Sequence, residues 1–190
     1  MVPSMAPLSV YIIARHEADR IGRAISSVRG LADEIVVVTD GQSVDDTENV
    51  ARAAGARVVE NPWPGFGAQK YFAEGLCQHD WVLCLDADEC VTPELADEIR
   101  AVLAQGAVAD FYDMSMVDVY PGAARPRLWS KPTRGVRLFR KSCGRTSLSP
   151  VHDRVVVPPG GRIARLKNPC WHYSMRSLGH LIQKYDSYTT

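Results

Sequence analysis

Two carboxylates one residue apart, Asp86 and Asp88, close the apolar run Leu83-Cys84-Leu85, and Glu89 follows them. Residues two apart on a chain leaving a strand share a side, so both acids can face one site. Neighbouring anions repel unless a cation is present. Mg2+ or Mn2+ takes oxygen ligands from few carboxylates plus substrate phosphates, an arrangement that fits a nucleotide diphosphate. The plain alternative is a solvated acidic turn ahead of the helix that starts after Thr92, so the pair needs context.

Two other run ends supply it. Asp40 follows Ile35-Val36-Val37-Val38-Thr39; an acid there can accept from a base or ribose donor, and Gly41 gives the turn backbone freedom. Asp45 and Asp46, further on, read as helix caps. The charged cluster Arg15-His16-Glu17 closes a third apolar run, 8–14. That is odd for a plain turn and natural at a ligand crevice.

These residues converge only if the runs are neighbouring strands. Residues 8–14, 34–39, 57–60 and 81–85 read as buried strands, being continuous and mostly β-branched. Helical spacing appears between them: Ile21, Ile25 and Val28 ahead of Gly30, then 46–54 ahead of Gly55, then 68–77. Thr92-Pro93-Glu94 is a helix start, with a hydroxyl cap, a first-turn proline and an early acid, and that helix reaches Gly106. Alternating strands and helices predict an α/β fold with a mostly parallel central sheet flanked by helices, whose ligands bind beyond the carboxyl ends of the strands. The second half reads as added strands at 110–120, 135–140 and 154–157, joined by loops rich in Pro, Gly and Arg, with a helix at 177–185. The expectation is one domain, 1–190, with a Rossmann-like nucleotide-sugar half (1–106) and an acceptor-side half (107–190).

Composition narrows the classes. The 190 residues are 46% hydrophobic and 23% charged, which is the balance of a globular chain and not a disordered one. Acids and bases number 22 each, so no bulk positive field exists to bind nucleic acid. Most arginines nevertheless follow Pro121, whereas acids cluster before it. Five cysteines form no CxxC pair, which points to a reducing cytoplasm, and Cys84 reads as a small core hydrophobe. The N-terminus has no signal-peptide pattern, and no stretch is long enough to span a bilayer, so membrane contact would be peripheral.

Taken together, the three strand ends resemble the family 2 glycosyltransferases of GT-A fold, whose first half runs strand–NEA, strand–DxGSxDDT, loop and helix, then strand–DADE. More closely, the chain is similar to the bacterial lipopolysaccharide-core glucosyltransferase branch. The segments carrying that likeness are Trp63-Pro64-Gly65-Phe66-Gly67-Ala68-Gln69-Lys70, Val136-Arg137-Leu138-Phe139-Arg140, Pro150-Val151-His152-Asp153-Arg154 and His172-Tyr173-Ser174-Met175-Arg176-Ser177-Leu178. The family has Asn where this chain has His16 and Tyr71, and Gln42 occupies a glycine place. Its members also continue beyond this C-terminus.

The resemblance implies roles. Asp40 would contact uracil, while Arg15, Glu17 and Ala87 would line the nucleotide-sugar pocket. Asp86 would face the ribose or metal, Asp88 would ligate the metal, and Lys70 would offset the diphosphate charge. His172 would be a further metal ligand. Asp153 would be the base that takes the acceptor hydroxyl's proton, with His152 orienting it. The implied reaction is an inverting transfer of a hexose, glucose first in line, from a UDP-sugar to an anionic or lipid-linked saccharide such as a lipopolysaccharide core, with contact at the inner membrane's cytoplasmic face. A nucleotidyltransferase would instead place a Gly-rich phosphate loop after the first strand, and Ala14-Arg15-His16-Glu17 is not one. A degenerate sugar-nucleotide-binding protein is the non-enzymatic alternative, and the intact Asp86, Asp88 and Asp153 weigh against it.

Overall fold

The structure, a computed structural model, describes residues 5–149, 153–177 and 179. The order of elements is β1 (Leu8–Ala14), α1 (Ile21–Val28), β2 (Glu34–Thr39), α2 (Thr47–Ala53), β3 (Arg57–Glu60), α3 (Phe66–Leu76), β4 (Trp81–Asp86), β5 (Glu89–Val91), α4 (Pro93–Gln105), β6 (Phe111–Asp118), β7 (Thr133–Arg140), β8 (Arg145–Thr146), β9 (Val155–Val156) and β10 (Ile163–His172). Eight strands form one sheet in the order β3-β2-β1-β4-β7-β6-β10-β5, and β8 pairs with β9 apart from it.

β1 shows why the first half reads as unbroken apolar runs. Alternate side chains leave a strand on opposite faces. Leu8, Val10 and Ile12 join one core with Ile21, Ile25, Leu95 and Ile99, so α1 and α4 cover that face. Tyr11 and Ile13 join the other core with Ala73 of α3, Cys84 and Phe139. Each fully buried aliphatic side chain contributes roughly 1.5–3 kcal/mol, so neither face tolerates a polar residue cheaply. The same parallel register aligns the strand ends. Ala14 lies opposite Thr39, Ile13 opposite Asp86, and Thr39 opposite Glu60. Residues just beyond these positions emerge along one edge.

β7 runs antiparallel to β4 and to β6, so β6 points the same way as β4. The strands expected at 110–120 and 135–140 do extend the main sheet. The one expected at 154–157 shrinks to Val155–Val156 and pairs only with β8. β10 and β5 complete the sheet, and neither was expected as a strand. α3 begins at Phe66 rather than at residue 68, after Gly65 makes the left-handed entry at φ 103°. α4 starts as read: Thr92 Oγ1 accepts the Leu95 N–H at 3.2 Å, and Gly106 closes the helix at φ 83°. The helix expected at 177–185 falls almost wholly outside the described residues. Among those described, no helix is long and apolar enough to cross a membrane.

Candidate active site

β4 ends on Asp86, the chain turns through Ala87 and Asp88, and β5 pairs back against β10 with Glu89 opposite His172. The turn is fastened by the Tyr173 N–H, which donates to the Asp88 carbonyl at 2.8 Å. His172 Nε2 then lies 3.5 Å from Asp88 Oδ2, and His172 Nδ1 lies 3.0 Å from Asp118 Oδ1 at the end of β6. Ser174 Oγ donates to the same Asp118 oxygen at 3.1 Å. A carboxylate on Nδ1 fixes the ring and leaves Nε2 toward Asp88, the usual support of a metal-ligating histidine. Burial opposes the imidazolium, but Asp88, Glu89 and Asp118 outweigh it and hold the His172 pKa above its ordinary value. Burial likewise works against the Asp88 anion, yet His172 and Arg20 bring its pKa below the usual carboxylate range.

A buried cation organises the opposite side. Lys70 of α3 is 1% exposed, with Nζ 2.6 Å from Asp86 Oδ1 and 2.5 Å from Asp153 Oδ2. Arg137 of β7 bridges Asp86 Oδ2 and Glu89 Oε1, each at 3.1 Å, and Glu89 Oε2 accepts the Asp86 N–H at 3.0 Å. Both Asp86 oxygens are therefore engaged by cations. Burial would raise the Asp86 pKa, but Lys70 and Arg137 drive it far below the ordinary range. Burial disfavours the Lys70 ammonium too, and Asp86 more than restores it. For Glu89 burial prevails over Arg137, so its pKa is raised.

Gly67 explains how the segment leading to Asp153 comes this close to α3. A Cβ at Gly67 would sit 2.3 Å from the Ser149 carbonyl oxygen and 2.4 Å from that of Ser147. Without one, the Gly67 N–H donates to the Ser149 carbonyl at 3.2 Å.

Just beyond β2, Asp40 is buried. Its Oδ1 accepts the Gln42 N–H at 3.0 Å, and its Oδ2 is ion-paired with Arg15, whose Nε lies 3.1 Å away outside hydrogen-bond geometry. Glu17 accepts from Arg20 at 2.5 Å and from Arg176 at 3.1 Å; burial raises its pKa against the pull of Arg20. His16 takes φ 56°, a left-handed conformation in which Asn and His are both enriched, so His in the family's Asn place preserves the turn.

One open cavity of about 830 Å3 lies among these elements. Arg15, Glu17, Lys70, Asp86, Ala87, Asp88, Asp153 and His172 line it, as do Trp63 and Phe66, which meet edge to face at 4.9 Å. Asp40 is not on the wall and is reached through Arg15. His152 lies outside the described residues. Sequence reasoning missed Arg137, Arg20 and Asp118 as members of the site. Arg137 lay within a motif already singled out, but Asp118 gave no signal, since its role depends on β10.

Among the described residues no three His, Cys, Asp or Glu side chains gather into a metal-binding group. Asp88 and His172 offer two donors on one side, with Asp86 beyond them already held by Lys70 and Arg137. That set fits a hard cation completing its shell with diphosphate oxygens and water, as Mg2+ and Mn2+ do at nucleotide sites.

The family model described as Glycosyl transferase family 2 matches residues 9–157. An uncharacterized glycosyltransferase of Rickettsia prowazekii is 37% identical over 195 residues, covering 98% of this chain and 66% of its own length. The lipopolysaccharide core biosynthesis glycosyltransferase LpsC of Rhizobium meliloti is 28% identical over 195 residues, covering 100% of this chain and 71% of its own. Among solved structures, S. aureus TarS 1-349 in complex with UDP-GlcNAc superposes with a TM-score of 0.63 at 16% identity, over 92% of this chain and 60% of that one. The likeness to TarS is one of fold. The chain thus spans just under two-thirds of the Rickettsia relative it matches.

Proposed function

This chain belongs to glycosyltransferase family 2 and has the GT-A fold, and from that premise we propose that it is a metal-dependent, inverting hexosyltransferase. The donor is a UDP-sugar, glucose first in line. The acceptor is an anionic, lipid-linked saccharide of the lipopolysaccharide core or a related envelope glycan, met at the cytoplasmic face of the inner membrane. The observation that carries this reading is that one cavity holds the Asp88–His172 pair on one side and Asp153, held by Lys70, on the other. The name of the LpsC relative supports the acceptor class, and the arginine-rich second half suits an anionic one.

Each residue has a role in this reading. Asp40 receives the imide N–H of uracil once its partner Arg15 swings aside, with Arg15 and Glu17 lining the pocket. Asp86, fixed by Lys70 and Arg137, faces the ribose and the metal side, next to Ala87. Asp88 and His172 would hold Mg2+ or Mn2+, which when bound would supply positive charge to offset that of the departing diphosphate. Lys70 adds a positive charge already in place, so no reorganisation is needed as that charge develops. Asp153 takes the proton of the acceptor hydroxyl as its oxygen bonds to the anomeric carbon. The bond from that carbon to the diphosphate breaks on the opposite face, which inverts the centre.

The test measures UDP release from UDP-glucose with and without a core saccharide acceptor, each with and without EDTA. Release that requires both acceptor and metal is expected. Release indifferent to EDTA removes the metal from the reading, and binding without any release leaves a sugar-nucleotide-binding protein.

A further inference from the structure

The 14 residues from Val119 to Pro132 join β6 to β7 and contain Arg125, Arg127 and Lys131 but no acid. All three cations are exposed, and between them Leu128 and Trp129 stand 93% and 84% exposed. Single exposed apolar residues need no explanation. An adjacent Leu-Trp pair set among cations is another matter, because folding alone gives no reason to leave both in water. The base of this segment is pinned to the site: the Val119 N–H donates to the His172 carbonyl at 2.8 Å, one residue after Asp118. Prolines at 121, 126 and 132 restrict it, and Arg127 lies 4.9 Å above the Tyr120 ring.

A second observation points the same way. Among the described residues nine large apolar side chains are exposed, and five of them follow the carboxyl ends of sheet strands: Val44 after β2, Trp63 and Phe66 after β3, Leu128 and Trp129 after β6. Exposed apolar surface is therefore concentrated on the edge that carries the cavity. Cations flanking an aromatic and an aliphatic residue match the chemistry of an anionic bilayer surface, where tryptophan settles at headgroup depth and Lys and Arg meet lipid phosphates.

We propose that the segment 119–132 is a membrane-docking loop, which inserts Leu128 and Trp129 into the headgroup region of an anionic lipid surface while Arg125, Arg127 and Lys131 contact the phosphates. This names the surface behind the peripheral location proposed above. Docking by this loop turns the cavity mouth toward the bilayer from which a lipid-linked acceptor comes. Lipid binding needs no sugar transfer, so this inference and the enzymatic reading fail separately.

The experiment is sedimentation of the 190-residue chain with vesicles of phosphatidylglycerol and phosphatidylcholine, against vesicles of phosphatidylcholine alone. Binding is expected only to the first, and it should weaken with added salt. The double variant Leu128→Ser, Trp129→Ser should partition about tenfold less or weaker still, the scale of losing one or two buried apolar side chains. Arg125→Gln, Arg127→Gln and Lys131→Gln should each cost about fivefold. UDP-glucose binding in solution should be unchanged in all of them, which also reports that they fold. Equal binding to neutral vesicles, no binding by the parent chain, or full binding by the double variant would each overturn the proposal. So would variants that bind vesicles normally but lose transfer to a water-soluble deacylated acceptor, because the loop would then be an acceptor lid.

Discussion

The Lys70 ammonium lies 2.5 Å from Asp153 Oδ2, joining α3 to the segment that leads into β9, while its other contact reaches Asp86 at 2.6 Å. One buried cation thus links the proposed base to the end of β4, which carries Asp86. Replacing it with the similar-sized Met leaves Asp153 without this partner and Asp86 with Arg137 alone. We expect Lys70→Met to lose about 2 kcal/mol of unfolding free energy in urea. That is below the ~3–5 kcal/mol of a fully buried broken pair, because both carboxylates remain about a third exposed. Unchanged stability would mean that the two acids are adequately solvated without Lys70.

Asp118 does not line the cavity, yet it governs the orientation of His172, which does. Loss of such a support typically costs 10–100-fold in metal affinity. Asp118→Asn should therefore weaken Mn2+ binding in the presence of UDP by about tenfold or more, and Asp88→Ala should abolish it with the fold intact. Calorimetric titration of Mn2+ into protein and UDP checks both. Parent-like affinity in Asp88→Ala would remove the metal site from this corner.

Arg137 bridges two acids, one of which, Glu89, is only 1% exposed. Arg137→Ala strands that carboxylate, and about 3–5 kcal/mol of stability should go with it. Both contacts come from the single Nη2, so Lys in its place restores the charge, but its shorter side chain and lost Nη1 contact to Cys84 let only part of the loss return. Adding Glu89→Gln to Arg137→Ala removes the stranded charge and should recover most of it. Urea unfolding of the three variants decides the matter. A double variant as unstable as Arg137→Ala would place the effect on Asp86 instead.

How legible all this was in the sequence depended on the range of the forces involved. β1, β2 and β4 are buried on both faces, so their apolar runs end where the strands end, and Asp40 and Asp86 could be placed by inspection. β10 was hidden. Lys167, Asn168 and Pro169 interrupt its pattern, and its register shifts between Arg165 and Pro169, because Glu98 of α4 takes the N–H groups of Lys167 and Asn168 there. Its identity as a strand rests on β6 and β5, far away in sequence. His172 was named through resemblance alone, and Asp118 was not named at all. Asp86 shows the opposite limit: its position was readable, but its two cations come from α3 and β7, which spacing along the chain cannot bring together.

Asp153 allows the sharpest separation of binding from chemistry. Its contact in the structure is to Lys70, and it lines the cavity from the segment leading into β9, whereas Asp88 lines it from the turn after β4; in the proposed reading Asp40 and Asp88 serve the nucleotide and diphosphate. Asp153→Asn keeps the size of the side chain and an oxygen toward Lys70, but it cannot take a proton. UDP-glucose affinity should stay near that of the parent chain, while transfer falls at least about 10²-fold, the lower range for a general base. Ala at His152 should be milder if that residue only orients its neighbour, and the two effects need not add. Parent-like transfer by Asp153→Asn with loss in His152→Ala would reverse the roles and make the imidazole the base. If both variants transfer normally, the pair is structural. Glu89 is then a poor substitute despite its raised pKa, because it is buried, committed to Arg137 and the Asp86 N–H, and absent from the cavity wall.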